Sequence, residues 1–243
     1  MKVFVFTDNR FIHDAFRPLF SGIADAEVDF FCSPSSEPMF REEVAEGTVK
    51  PASLKRDCAR FLDYDLGFSC HSRQLFPAEL VTAVRCLNVH PGLNPHNRGW
   101  YPQVFSILNG LPAGATIHVM DEAIDHGPIV CQNEVAIQPW DTSRDVYQRL
   151  LREEVALFEA WLPRLVKGDY EAVPPGEEGN YNGKADFAAL CEIDPDEVGT
   201  FREFVDRLRA LSHPPFSNAW MMMDGRKVHL RLELEAAGGD DGA

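Results

Sequence analysis

Four apolar residues in a row, Val3-Phe4-Val5-Phe6, end abruptly at Thr7-Asp8-Asn9. Immediately afterwards the spacing changes: Phe11, Ile12, Ala15, Phe16, Leu19 and Phe20 recur as on one face of a helix. A short strand apolar on both faces, followed at once by an amphipathic helix, is the opening unit of a parallel sheet covered by helices. The pattern recurs down the chain. Strands are predicted at 28–32, 65–70, 85–89, 115–120 and 129–135, with helices opening at Pro77, spanning 101–108, and starting at Thr142. The last has a capping signature, Thr142 with Asp145 three residues on, and a stripe of Val146, Leu150, Phe158, Leu162 and Leu165 before Gly168. Residues 33–56 read as loop and short helix. The fold class that follows is α/β: an open, mostly parallel, Rossmann-like sheet with helices on both faces, over residues 1–171.

The run AVPPGEEGNYNGK, 172–184, changes composition and reads as a linker. Beyond it, 185–235 form a small appendage: a helix boxed by Thr200 and Glu203, then a hairpin turning at Asp224-Gly225. The end, 236–243, is expected to be disordered.

A net charge of −15 with no basic stripe argues against nucleic-acid binding, because phosphate-backbone affinity comes from clustered Lys and Arg. The six cysteines are scattered and form no C-x-x-C pair, so they read as small buried hydrophobes in a reducing compartment. Neither a signal peptide nor a membrane span is evident, and a cytoplasmic location with no membrane partner is expected. There is no G-x-G-x-x-G after the first strand and no phosphate-binding P-loop.

In an open parallel sheet, ligands bind outside the carboxyl ends of the strands. The segments placed there are TDN (7–9), SCHSRQ (69–74), NVHPGLN (88–94) and MDEAIDHG (120–127). Asn88 and His90 are two apart on a strand and face the same side. An amide beside an imidazole suits a reaction in which a carbonyl oxygen gains charge and a nitrogen loses a proton, and Asp125 is the best-placed carboxylate to orient the ring. Read alone, the same string is equally compatible with a capped strand end. Arg98-Gly99-Trp100 fits an anion site beside an aromatic wall, or simply an exposed Arg before a helix. The histidines show no ligand spacing for zinc, so no metal is expected. His118, in the apolar context TIHVM, reads as structural, and Trp220 with Met221–Met223 as an apolar hairpin face seeking a partner.

Three elements in order, Asn88-x-His90-Pro91, Arg98-Gly99 and GATIHVMDEAIDHGPIVCQ (114–132), resemble the 10-formyltetrahydrofolate-dependent formyltransferases. The resemblance is fuller to the sugar N-formyltransferase branch, through HSRQLFP, NVHPGLNPHNRGWYPQVFSI, NGKADFAALCEID and LRALSHPPFSNAW, and is nearest to the subgroup acting on dTDP-4-amino-4,6-dideoxyglucose. One departure is His71-Ser72-Arg73, where relatives carry a Cys-Lys pairing. The resemblance implies a catalytic triad of Asn88, His90 and Asp125. It implies 10-formyltetrahydrofolate as co-substrate, bound by Arg73, Gln74, Leu75, Asp121 and Gly127. It implies a dTDP-aminosugar bordered by Asn9, Arg98, Gly99 and Trp100, with Phe216 or Trp220 against the thymine. It further implies a homodimer joined through the appendage and a product used in lipopolysaccharide O-antigen biosynthesis. The alternatives are the same reaction on a 3-amino sugar, a metal-dependent deacylase, and a non-catalytic nucleotide-sugar sensor.

Overall fold

The computed structural model describes residues 1–23 and 26–236; from 237 on, the expected disordered tail lies outside the described residues. Elements in chain order are β1 (Lys2–Thr7), α1 (Arg10–Phe16), β2 (Glu27–Cys32), α2 (Arg41–Ala45), β3 (Val49–Pro51), α3 (Cys58–Phe61), β4 (Leu66–Cys70), α4 (Ala78–Ala83) and β5 (Arg85–His90). They continue with β6 (Arg98–Gly99), α5 (Pro102–Asn109), β7 (Ala113–Val119), β8 (Ile129–Val135), α6 (Ser143–Lys167), β9 (Tyr181–Asn182), α7 (Lys184–Cys191) and α8 (Phe201–Leu211). Four short strands close the described chain: β10 (Ser212–His213), β11 (Phe216–Ser217), β12 (Trp220–Met223) and β13 (Arg226–His229).

The central sheet has seven strands in the order β3-β2-β1-β4-β5-β7-β8. The first five are parallel, and β7 and β8 add antiparallel pairings at one side. The expected α/β class is borne out. Strand alternation sorts the core into two layers. Val3 and Val5 of β1 join Phe16, Phe68 and Phe158 beneath α1 and α6, whereas Phe4 and Phe6 join Phe31, Phe61 and Leu80 beneath α3 and α4. On β5, Leu87 and Val89 face the α6 layer, and Cys86 faces the other. Asn88 and His90 share the parity of Cys86, so they stand on the α3/α4 side, at the strand's carboxyl end.

Chain order reverses between β1 and β4, and the carboxyl ends of β1, β4 and β5 lie next to one another there. This is the switch point at which an open α/β sheet leaves a crevice. Residues 33–56 hold, besides a 3-10 turn and α2, an edge strand that the composition did not suggest: Phe30 to Cys32 pair with Val49 to Pro51. The stretch expected as a linker lies against the α/β body. Val173 and Ile129 exchange backbone hydrogen bonds of 2.8 and 2.9 Å, and β9 pairs with β6. The appendage holds a helix beyond the one expected, α7, where the Asp186 carboxylate accepts the Gly183 N–H at 2.7 Å. Its hairpin turns as expected at Asp224-Gly225, both with positive φ. Among the described residues no helix is long and apolar enough to cross a membrane.

Candidate active site

Antiparallel pairing of β5 with β7 sets Asn88 opposite His118 and His90 opposite Thr116. All four side chains therefore stand on one face, and the loop after β7 brings Asp125 against them. Asn88 Nδ2 donates to Asp125 Oδ1 at 2.8 Å and faces His118 Nε2 at 3.2 Å. His118 Nδ1 lies 3.0 Å from the Val119 carbonyl, which only accepts, so Nδ1 carries the proton and Nε2 receives the Asn88 amide. The second carboxylate oxygen, Oδ2, accepts the Gly99 N–H at 3.0 Å and lies 3.6 Å from His90 Nδ1. Asn94 Nδ2 donates to the Asp125 carbonyl at 2.9 Å, steadying a residue held at φ 50°. Thr116 Oγ1 bonds the Gly92 carbonyl and receives the Asn94 N–H, which folds the loop after His90 back onto β7.

The electrostatics follow from burial and from who donates. Burial works to raise the Asp125 pKa, yet His90, His118 and the Gly99 amide outweigh it and hold it at about 2. His90, 5% exposed, has its pKa lowered, chiefly by burial and also by His118 and His71, against the raising pull of Asp125. It is therefore a neutral imidazole at neutral pH. With Nδ1 toward Asp125, its buried Nε2 has no hydrogen-bond partner. Gly92 makes room for this ring, since a Cβ there would stand 2.3 Å from His90 Nε2. A desolvated base with a free nitrogen, oriented by a permanent carboxylate, can accept a proton from an amine and return it to a leaving nitrogen.

A second polar network adjoins the first. His71, with φ 60°, directly follows β4 and meets Glu154 of α6 at 2.8 and 3.0 Å. Tyr147 Oη lies 3.5 Å from His71 Nδ1 and receives the Asn9 amide at 3.0 Å. His213 of the appendage packs on Tyr147 with ring centroids 5.4 Å apart, and exposed Phe216 lies beside His213.

The other expected contacts divide. Asn9 is engaged as the cap of α1 and by Tyr147. Gln74 turns inward: its amide serves the Leu54 N–H, Ser33 Oγ and the Ala52 carbonyl, leaving only its backbone for a ligand. Arg73 and Leu75 are exposed, and the Arg73 N–H is anchored on Asp8. Asp121 holds the Ala123 N–H and His126, and a Cβ at Gly127 would strike the Val119 carbonyl at 1.8 Å. Arg98 is buried against the Ile124 carbonyl behind the Asp125 loop. Trp100 lies under Lys184, 3.8 Å from its ring centroid. Trp220 lies in the appendage under Lys227, bridged to Glu192.

His118, expected to be structural, stands instead in the site, and so do Asn94 and His71, which lie in segments expected at this edge without a role assigned to them, and Thr116 and Glu154, to which the sequence gives no role. The alternation in Thr116-x-His118 was the available signal, but it acquires meaning only once the register against Asn88 is known. Among the described residues, no group of three or more His, Cys, Asp or Glu is placed to hold a metal ion.

Comparison with known proteins identifies the family. Residues 64–162 match the formyl transferase family, and 186–236 match the N-formyltransferase dimerization C-terminal domain. The chain is 51% identical over 238 residues, 97% of each chain, to a dTDP-4-amino-4,6-dideoxyglucose formyltransferase of Mycobacterium tuberculosis. The structure of a 4-N formyltransferase from Francisella tularensis superposes with a TM-score of 0.95 at 48% identity, covering 97% of this chain and 98% of that one. A Helicobacter canadensis N-formyltransferase, solved with folinic acid and dTDP-3-aminofucose, shares the fold alone: TM-score 0.73, 18% identity, 94% and 86% covered. With residues 64–162 and 186–236 matching formyltransferase domains and a 51% identical relative matched over 97% of each chain, the chain belongs to the formyltransferase family.

Proposed function

We propose that this enzyme moves a formyl group from 10-formyltetrahydrofolate to the 4-amino group of dTDP-4-amino-4,6-dideoxyglucose. The sugar is supported by the 51% identical relative of that name, and the folate by family membership. The observation that carries the chemistry is the pairing of a neutral, buried His90 whose Nε2 lacks a partner with an Asp125 carboxylate held at about 2.

The amine nitrogen bonds to the formyl carbon, and the bond from that carbon to folate N10 breaks. His90 Nε2 takes the proton the amine sheds and passes it to the departing nitrogen, so protons balance over the cycle. Asp125 keeps the ring oriented and stabilises its transient charge. Asn88 shares its amide hydrogens between Asp125 and His118. Turning the one on the longer, 3.2 Å contact toward substrate supplies a donor for the oxyanion that develops on the formyl oxygen.

The folate is placed along 73–77 and 120–127, on Leu75 and the backbone of Arg73 and Gln74 on one side and Asp121 and Gly127 on the other. The nucleotide lies toward Arg73 and the exposed ring of Phe216, with Gly99 and Trp100 bordering the sugar. The appendage joins two copies into a homodimer, consistent with the family name of residues 186–236 and with exposed Met222, Met223 and Val228 on its hairpin. The reaction is placed in the cytoplasm, where six free cysteines stay reduced.

The test is a formyl-transfer assay on the 4-amino and 3-amino dTDP sugars side by side, with purified wild-type enzyme and His90→Asn. Faster turnover of the 4-amino sugar, abolished in the variant, is expected. Preference for the 3-amino sugar overturns the substrate, and turnover undiminished in the variant overturns the mechanism. Sedimentation as a monomer at micromolar concentration overturns the dimer.

A further inference from the structure

The segment expected as a linker carries three positions, Gly179, Asn180 and Asn182, that pack against the strand whose Gly99 amide meets the Asp125 carboxylate. Backbone N–H groups along β6 alternate in direction. Those of Arg98 and Trp100 donate outward to the carbonyls of Asn180 and Asn182, at 3.0 and 2.9 Å. The one between them, Gly99 N–H, donates inward to Asp125 Oδ2 at 3.0 Å. The donor that helps hold Asp125 therefore sits on a strand whose only sheet partner among the described residues is β9.

The junction is locked by Asn97, which is fully buried and held at φ 50°. Its Oδ1 accepts amide N–H groups from Asn109, Asn180 and Asn182 at 2.8, 2.7 and 3.2 Å. Its backbone N–H donates to Asn180 Oδ1 at 2.8 Å. Contact is close enough that a Cβ on Gly99 would stand 2.6 Å from the Asn182 carbonyl, and one on Gly179 would stand 2.0 Å from the Pro95 carbonyl. Buried Asn97 with half-buried Asn180 and Asn182, joined at its outer side by exposed Asn109, forms a specific polar lock, since each bond is worth much less if its partner shifts.

We infer that the strap Gly179–Asn182 is a positioning element of the active site: through the Asn97 lock it sets the Gly99 amide, and through that amide the carboxylate of Asp125. The inference rests on the reading of Asp125 as the group that orients His90. Because the next residues begin the C-terminal module, the strap also ties the placement of that module to the catalytic edge.

The experiment compares Asn180→Ala, which removes two bonds to Asn97, with Asn182→Ala, which removes one, and with Gly99→Ala, which pushes on the strap from the opposite side. Asp125→Asn is run in parallel, and kcat and the folate KM are measured for each at a temperature well below its Tm. Expected are kcat losses of about tenfold for Asn180→Ala and about threefold for Asn182→Ala, as for a small misplacement of a catalytic group. Gly99→Ala should fall at least as far as Asn180→Ala, with the folate KM within about twofold throughout. A destabilised strap variant that keeps wild-type kcat overturns the inference. Should Asn180→Ala fail to fold, Asn182→Ala decides by the same criterion. If Asp125→Asn turns over normally, the reading of the site has failed; if it is inactive while the strap variants keep kcat, the inference alone has failed.

Discussion

Two imidazole–carboxylate pairs stand at the same edge of the sheet and have been built to opposite ends. His71 and Glu154 are the closer, at 2.8 Å, yet burial raises the Glu154 pKa and one imidazole does not offset it. His90 and Asp125 are 3.6 Å apart, yet the carboxyl of Asp125 is held at about 2, because His90, His118 and the Gly99 amide together outweigh its burial. The number of groups turned toward a buried carboxylate, rather than the closeness of one of them, decides whether it holds its charge. The imidazoles differ in the same sense. Both nitrogens of His71 face partners, Glu154 and Tyr147, whereas His90 keeps Nε2 free. One pair holds a loop; the other can move a proton.

The sharpest way to break this contrast is to remove each imidazole in turn. His90→Asn is expected to lower kcat by about two to four orders of magnitude, the usual loss for an acid/base group, with little change in Tm. His71→Asn should cost turnover less than about tenfold and show mainly as lost stability, because it leaves Glu154 buried without its partner. Parallel steady-state kinetics and thermal melts check both. Equal kinetic losses would erase the distinction. Gly92→Ala comes next: its Cβ must displace the His90 ring, and kcat should fall by about one to two orders without loss of fold.

A pH profile sharpens the comparison further. Turnover requires neutral His90, whose pKa is below 6.5 in the fold. The rate should therefore be level at neutral pH and fall as pH drops through the lowered value. In whatever activity Asp125→Asn retains, the anion that raises His90's affinity for a proton is gone, so this acid limb should move to still lower pH. A limb that moves upward would show that His90 is not the titrating group.

What was legible in the sequence was what depends on near neighbours in the chain. Strand β1 and helix α6 announced themselves by spacing and caps, and Asn88 and His90 shared a face because they are two apart on one strand. The features that were not legible depend on distant partners. β3 and β9 are two or three residues long and exist only because β2 and β6 lie beside them. Helix α7 buries no residue fully and so writes no stripe. His118 looked like a core residue because its apolar neighbours are real; its role comes from Asn88, thirty positions away. Gln74 and Asn9 sit in the segments expected to meet ligand, but hydrogen-bond demand from Leu54, Ser33, Ala52 and Tyr147 turned their side chains inward. Composition in one segment carries no record of such demand.

The smallest effect is expected at the other carboxylate. Glu154 is fully buried, and its pKa in the fold lies above the ordinary glutamate value. A carboxyl whose folded pKa is raised contributes stability that is fully present below its unfolded pKa, about 4.5, and lost as pH rises through the folded value. As pH rises above the unfolded value the folded protein therefore bears the cost of desolvating this carboxyl group. Glu154→Gln removes the titrating group while keeping an oxygen to accept from His71 Nε2, with nearly the same volume. Its Tm should fall less than the wild type's between about pH 4.5 and 7.5, and at pH 7.5 should equal or exceed it, with kcat within about threefold. The same substitution at the other pair, Asp125→Asn, should do the reverse, losing activity outright. Melting curves across that pH range, read beside initial rates, put the two carboxylates on one scale. If Glu154→Gln destabilised the protein at pH 7.5 and abolished turnover, Glu154 would belong with Asp125, and the edge would hold two catalytic pairs rather than one.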